Sequence, residues 1–245
     1  MSVDYTYWPS EPWWTDSSLW DYRPPWLRPV RPGTMRWALQ QTVAPTAEPL
    51  DLEFVRTKHL HQDSTDDDAY ISGLISAART YVEITTGLSL LQQTWKLYLD
   101  RWPRLDRNET WPWVSPPGAI LLPRFPVQSV SSIQWFDVNG GTNTVASTDY
   151  ILDVASRIPR VTPAANKFWP TSPSLVPQNG VVATLVAGAP SVSGVPPTLL
   201  QAILLLIGHW YVNRQEVLVD KQIKALELPT AAKALIGLHQ PMLVG

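Results

Sequence analysis

The chain has 245 residues and no cysteine, which excludes disulfides and thiolate metal sites and is compatible with assembly in a reducing cytoplasm. A basic excess is missing as well, because the formal net charge is -2, and tight nucleic-acid binding through many phosphate contacts is therefore not expected. The longest apolar run, residues 202–207, is far shorter than the ~20 residues that span a bilayer. The start, MSVDYTYWPS, lacks the charged and apolar segments of a signal peptide. We therefore expect a soluble protein that contacts no membrane.

Sequence patterns of catalytic chemistry are missing too. No glycine-rich phosphate loop, nucleophile elbow or zinc-protease helix occurs. Only His59 and His61, with Asp63 nearby, have anything like ligand spacing, and on a helix these two rings point to different sides. A metal site needs several converging ligands, so the solvated end of a first helix is the favoured interpretation. We expect no enzymatic activity, no metal and no cofactor.

Two further polar features have structural explanations. His209 lies in an apolar segment, where a core or interface histidine is favoured over a catalytic base. The run Asp66, Asp67 and Asp68 lacks the spacing of a calcium loop. It is explained by the preference of helix N-termini for negative charge.

The most informative segment present is a helix followed directly by a strand. Apolar residues recur at steps of three and four between residues 67 and 86, which predicts an amphipathic helix that starts at the acidic run. Gly87 supplies its left-handed C-cap. Beyond it, Trp95, Leu97 and Leu99 alternate with polar residues, which predicts a half-buried strand. The apolar stripe of the helix consists of Ile71, Leu74, Ile75, Ala78, Tyr81 and Val82.

A second helix is predicted over about 196–216, because prolines are tolerated in a first turn and an apolar pattern of helical period follows. It is more hydrophobic than a surface helix needs to be, so it is buried within its own domain or across a subunit interface. The residues expected toward the core are Leu199, Ile203, Leu206, Ile207 and Trp210.

The middle of the chain, about 92–190, predicts short strands and long loops. Residues 127–138 form a strand, and Asn139, Gly140 and Gly141 form a tight turn. Residues 150–154 are the expected partner across that turn. Further strands are predicted at 157–161 and 181–186, separated by a proline-rich loop. The predicted fold class is α+β, a small bundle of amphipathic helices with an inserted antiparallel sheet.

In this order, the motifs resemble those of the head-tail connector proteins of tailed bacteriophages, adaptors that bind beneath the portal ring. The resemblance covers about four fifths of the chain and leaves out the first 48 residues. The matching residues are 52–60 for a first helix, 66–95 for the helix and the QTW strand, then Pro196, Pro197, Ala202, His209, Tyr211, Asn213, Arg214 and Glu216, and finally Glu227, Leu228 and Pro229 before a closing helix.

The resemblance implies a structural role in the neck of a virion that is assembled in the host cytoplasm. Twelve identical subunits would form a ring on the portal protein, extend the DNA channel and provide a platform for the next neck, stopper or tail protein. Genomic DNA would pass through without sequence-specific binding. The resemblance also implies an adaptor domain over residues 49–245, with helices at about 51–62, 67–86, 196–216 and 230–239.

The C-terminal segment has an apolar side that needs a partner. The resemblance implies insertion against the portal, and packing on its own subunit is the alternative. The expected portal contacts are Leu235, Ile236, Leu238, Pro241 and Met242.

Residues 1–48 form a compositionally separate arm, rich in tryptophan and proline. Dense prolines favour extended conformations, and large rings are typical interface anchors, so we expect the arm to cross to a neighbouring subunit or particle component. Packing on its own domain and an aromatic sugar-binding platform are the alternatives. The second alternative would make the protein a tryptophan-rich surface module of the virion that binds carbohydrate or a receptor. The expected anchors are Trp8, Trp13, Trp14, Trp20, Trp26 and Trp37.

Overall fold

A computed structural model describes residues 37–103, 118–156, 158–171, 174–214 and 229–239. Helices and antiparallel strands form two parts with separate apolar cores, which confirms the predicted α+β class. In chain order the elements are β1 (Trp37–Val43), α1 (Leu52–Phe54, continued by the π-helical turn Val55–His59), α2 (Asp68–Thr86), β2 (Gln93–Leu99), β3 (Ile120–Leu121), β4 (Val127–Phe136), β5 (Thr142–Thr144), β6 (Tyr150–Asp153), β7 (Arg160–Pro163), β8 (Val181–Ala187), α3 (Pro197–Val212) and α4 (Thr230–Gly237).

The helical part forms around α2 and α3. The predicted stripe of α2 is buried except for Tyr81, which packs at its margin. Gly87 ends the helix with a φ of 74°, as a left-handed C-cap requires. In α3, Leu199, Ile203 and Leu206 have no exposed surface. The apolar excess of α3 is therefore explained by burial in the middle of its own domain, which was one of the two predicted options.

The strands form two antiparallel sheets. One has five strands in the order β1-β2-β8-β4-β5, and the other has three in the order β3-β7-β6. Strand β2 alternates between buried and half-buried residues, as its period-two pattern predicts. Its buried residues Trp95, Leu97 and Leu99 share a core with Ile120 and Val161 of the three-stranded sheet. The two sheets therefore pack face to face.

The predicted pairing across the turn at residues 139–141 is wrong. Strand β4 returns at once as β5, with Phe136 opposite Thr142, whereas β6 pairs with β7 in the other sheet. The reason is the Asp137 carboxylate, whose Oδ1 accepts the backbone N–H groups of Asn139 at 2.8 Å and Gly141 at 3.0 Å. These bonds close the turn so tightly that the residues immediately after it form the partner strand.

The prediction of an extended arm to residue 48 did not include strand β1. Trp37 and Leu39 pack on the core between the sheets, and their strand pairs with β2 from Trp37 opposite Leu99 to Val43 opposite Thr94. The segment WALQQTV contains neither proline nor charge, and so it can join a sheet where the preceding residues differ in composition.

A buried carboxylate joins the helical part to the five-stranded sheet. Glu83, near the end of α2, is 5% exposed. Its Oε1 accepts the Leu90 N–H at 2.8 Å and Gln93 Nε2 at 2.6 Å, and its Oε2 accepts Arg79 Nη1 at 2.9 Å. Burial raises the pKa of Glu83, although all three donors act in the opposite direction. We call Glu83, Arg79, Gln93 and Arg124 the seam network.

Arg124 completes the seam network from the sheet side. Its Nη1 donates to the Glu83 carbonyl at 2.9 Å, and its guanidinium lies 4.3 Å from the centre of the Trp95 ring. Burial lowers the pKa of Arg124. Since it contacts both the C-terminal turn of α2 and the β2 strand, it fixes the angle at which the helix meets the sheet.

Replacing Glu83 by alanine should lower the free energy of unfolding by about 2–4 kcal/mol, because Gln93 Nε2 and the Leu90 N–H would be left buried without their acceptor, while Arg79 keeps its pair with Glu48. Urea unfolding measures the change. The control Ile84→Ala alters the neighbouring side chain, which is 48% exposed, and should cost less than about 1 kcal/mol. Equal losses for both variants would contradict a structural role for the seam network.

Candidate interaction surfaces

The beginning of α2 and the end of α3 meet in an exposed polar cluster. Arg214 forms a two-pronged pair with Asp67, in which Nη1 lies 3.1 Å from Oδ1 and Nη2 donates to Oδ2. The Tyr211 hydroxyl donates to the same carboxylate at 2.7 Å. The guanidinium of Arg214 lies 4.7 Å from the ring centre of Tyr70 and 4.2 Å from that of Tyr211. We call Asp67, Tyr70, Tyr211 and Arg214 the helix-junction cluster.

The electrostatics of this cluster favour its charged form. The hydrogen bond from Arg214, followed by that from Tyr211, lowers the pKa of Asp67. The same bonds raise the pKa values of Tyr211 and Arg214. Side chains in the pair are 40% and 35% exposed, so its strength depends on salt. The cluster can hold the exit of α3 in a fixed direction, and it contains no arrangement of nucleophile and base.

The acidic run places negative charge at the start of α2, as predicted, and it also forms ion pairs that were not predicted. Asp67 occupies the N-cap position of α2, but its side chain makes no cap hydrogen bond and bonds to Arg214 instead. Asp68 lies 3.6 Å from Arg56 of the π-helical turn. Sequence reasoning missed the pair of Asp67 and Arg214 because these residues are separated by 147 positions. The one available signal was that Asp67 and Arg214 both lie in motifs that resemble those of the head-tail connector proteins.

The histidines form no common site. His59 Nε2 lies 2.7 Å from the Leu204 carbonyl, so this ring is half-buried against α3 and is not the solvated helix end that was predicted. His61 is exposed at a left-handed backbone position with a φ of 54°. His209 is half-buried, and its Nε2 is buried with no hydrogen-bond partner among the described residues. It therefore differs from the hydrogen-bonded core or interface histidine that was expected. No group of three potential metal ligands occurs within the described ranges.

The predicted portal contacts divide into two kinds. Ile236 is 3% exposed and Leu235 packs on the helical core, so these side chains hold α4 against its own domain. Ala232, on the same side of α4, has no exposed surface. Leu238, by contrast, is 72% exposed just beyond the helix and is free to contact another protein. Pro241 and Met242 lie outside the described residues.

Of the predicted anchors, only Trp37 falls within the described residues. It begins β1, is half-buried and packs on the core between the sheets, so its ring contributes to its own domain. Trp8, Trp13, Trp14, Trp20 and Trp26 lie outside the part of the chain that the structure describes.

Comparison with solved structures identifies the fold. A chain in the neck of the empty gene transfer agent (GTA) particle, computed with C6 symmetry, is 24% identical, with a TM-score of 0.61 over 83% of this chain and 95% of that chain. A chain of the native GTA virion is 23% identical, with a TM-score of 0.61 over 82% and 94%. A third, in the native neck computed with C12 symmetry, is 22% identical, with a TM-score of 0.51 over 83% and 94%. This protein therefore shares the fold of these chains over most of its length.

Neither a family model nor a curated protein sequence matches this chain. Among the helices of the described segments, none combines the length and apolar character needed to cross a bilayer.

The variant Asp67→Asn should lower stability slightly at pH 7, and the difference from the wild type should disappear in acid. Because the folded pKa of Asp67 is depressed, the stabilisation is fully present above the unfolded value of about 3.9 and is lost as the pH falls through the lower folded value. Thermal unfolding between pH 7 and pH 2 measures it. The control Asp66→Asn removes one charge while leaving the Arg214 pair in place. A difference that persists unchanged in acid would contradict the assignment.

Proposed function

We propose that the protein is a structural head-tail connector of a phage or phage-like particle. It forms a ring below the portal in the virion neck, extends the DNA channel and provides the platform for neck or tail proteins. The observation that carries this proposal is the shared fold, which covers 95% of a chain in a GTA neck. Those necks were computed with C6 and C12 symmetry, which supports a ring of identical subunits, twelve in this proposal.

The chemistry of the described surface is consistent with interface formation. Exposed apolar side chains lie at the two ends of the helical part, Val212 at the end of α3 and Leu238 beyond α4. His239 Nε2 lies 2.6 Å from Thr198 Oγ1, which places the end of α4 beside the start of α3. Single exposed apolar residues are common on monomeric proteins, so Val212 and Leu238 are candidate contact positions at opposite ends and form no continuous patch.

The alternative of a tryptophan-rich module that binds carbohydrate lacks support from the rings that the structure describes. Trp95, Trp135 and Trp169 are buried, and Trp37, Trp102 and Trp210 are half-buried. A stacking platform needs rings with an open face on a rigid surface. The tryptophans of the described part instead act as core and packing residues, so we keep the structural connector as the proposal.

The portal contact is proposed at the C-terminal end, with Leu238, Pro241 and Met242 as the contacting side chains. Leu235 and Ile236 belong to this proposal as residues that hold α4, since their own side chains pack on the core. Genomic DNA is proposed to pass through the ring without sequence-specific contacts, in agreement with the net charge of -2.

Purified protein should be mainly monomer or small oligomers alone and should assemble as a ring when portal is added. Ring closure by head-to-tail interfaces needs a template that fixes the rotation, whereas free subunits bear the full entropy of association. Mass measurement at micromolar concentration, with and without portal, tests the proposal. Absence of any portal complex across a range of salt concentrations would refute it.

The variant Leu238→Asp should weaken portal binding at least about tenfold, because burying a leucine side chain stabilises a contact by roughly 1.5–3 kcal/mol. Its thermal unfolding should match the wild type, since the side chain is exposed in the free subunit. The control Phe168→Asp changes a side chain of the same 72% exposure in the sheet part. Equal portal affinity for Leu238→Asp and wild type would exclude the proposed contact.

A further inference from the structure

The outer edge of β1 is a strand edge that has no partner strand among the described residues. Strand β1 ends the five-stranded sheet and pairs with β2 on one side, and no other strand of the described residues pairs with it. With seven residues it is the longest of the four edge strands, against three for β5, two for β3 and four for β6. A free strand edge presents a row of backbone donors and acceptors to any extended segment nearby.

The side chains of β1 do not block such pairing. Natural edges are protected by proline, by charge or by short length, and the segment WALQQTV has neither proline nor charge. The register shift between Gln41 and Val43 is confined to one end, and pairing with β2 is regular from Trp37 to Gln41. A regular, uncharged stretch is therefore available for an added strand.

The sequence supplies a segment suited to this edge at the start of the chain. Residues 2–8, SVDYTYW, contain no proline, and Val3, Tyr5, Thr6, Tyr7 and Trp8 are residue types that favour strands. The segment is as long as β1 itself. Between the two lie residues 9–36, which contain six prolines.

The length and proline content of residues 9–36 favour the β1 edge of a neighbouring copy over the β1 edge of the same chain as the acceptor. Extended at ~3.1 Å per residue, residues 9–36 reach roughly 85 Å. A folded domain of about 200 residues has a radius of gyration of about 17 Å and is thus roughly 45 Å across. A proline-rich connection is a semi-rigid spacer, so it favours reaching one subunit further over a reversal onto its own strand.

We propose that residues 2–8 of one subunit add a strand to the free edge of β1 of the adjacent subunit. This inference rests on the proposed ring, because only a ring places a second copy at a fixed neighbouring position. Each subunit then gives a strand to one neighbour and accepts one from the other, which is a heterologous contact that closes with the ring. Backbone hydrogen bonds supply the affinity, and the aromatic residues of the added strand lie along the sheet.

Disulfide crosslinking tests the proposal cleanly because the natural chain has no cysteine. Ala38 is exposed and lies on the face opposite the packed Trp37 and Leu39. Chains with Ala38→Cys are mixed with chains that carry one cysteine at each of positions 3–8 in turn, and assembled necks are oxidised. Only a contact between different copies gives a mixed dimer on a non-reducing gel. Each single variant alone, and the pairing of arm cysteines with Val154→Cys, are the controls.

We expect one arm position, the one opposite Ala38, to give the strongest mixed dimers, and its two immediate neighbours in sequence to give dimers at least about tenfold weaker. The reason is that side chains of a strand alternate between faces and a disulfide needs Cβ atoms within ~4.5 Å. Replacing residues 2–8 by a glycine-serine segment should leave unfolding of the domain unchanged and should make necks release the protein at lower temperature.

Four outcomes would overturn the inference. Crosslinks of equal strength at adjacent arm positions contradict a strand. A double variant, with Ala38→Cys and one arm cysteine in the same chain, that forms crosslinks only within its own chain contradicts the exchange between subunits. Absence of crosslinks in necks that contain the protein refutes the added strand while leaving the connector function intact. A cysteine-free protein that never enters necks refutes the connector function itself, and the inference with it.

Discussion

The buried carboxylate of Glu83 is the interaction on which the rest of the structure depends. The helical and sheet parts have separate apolar cores, and apolar contact alone would leave their relative orientation loosely determined. Glu83 accepts hydrogen bonds from α2, from the connection after it and from β2, while Arg124 contacts the end of α2 and covers Trp95. Because buried polar groups tolerate few alternative geometries, this seam network sets one orientation. Such rigidity suits the proposed role as a connector, which would transmit a fixed geometry between its partners.

The seam network and the helix-junction cluster act at opposite ends of α2. Glu83 lies in its last turns, and Asp67 precedes its first residue and holds Arg214 beyond α3. The contrast in burial separates their roles. The 5% exposure of Glu83 makes it a determinant of stability, whereas Asp67 and Arg214 are exposed enough to exchange partners with solvent or another protein. The end of α3 is therefore fixed by contacts that assembly could modify.

Local patterns predicted α2 and β2 well and the long-range contacts poorly. The stripe of α2, the cap at Gly87 and the alternation of β2 follow from nearest neighbours in sequence, and the structure confirms them. The pairing of β4 was wrong because the Asp137 side chain decides the turn, and the pattern of apolar residues does not encode that bond. The pair of Asp67 and Arg214 joins residues 147 positions apart, which no local period reports. Tertiary polar contacts could be identified only from the structure, and the same holds for most of the candidate surfaces.

The most direct test of the connector function is a reconstruction of the neck from particles that contain this protein. We expect a ring of symmetry-related copies of the α+β fold next to the portal, with the end of α4 toward the portal and the sheets of adjacent copies at the subunit boundary. Density for this fold elsewhere on the particle, together with a neck that lacks it, would contradict the account.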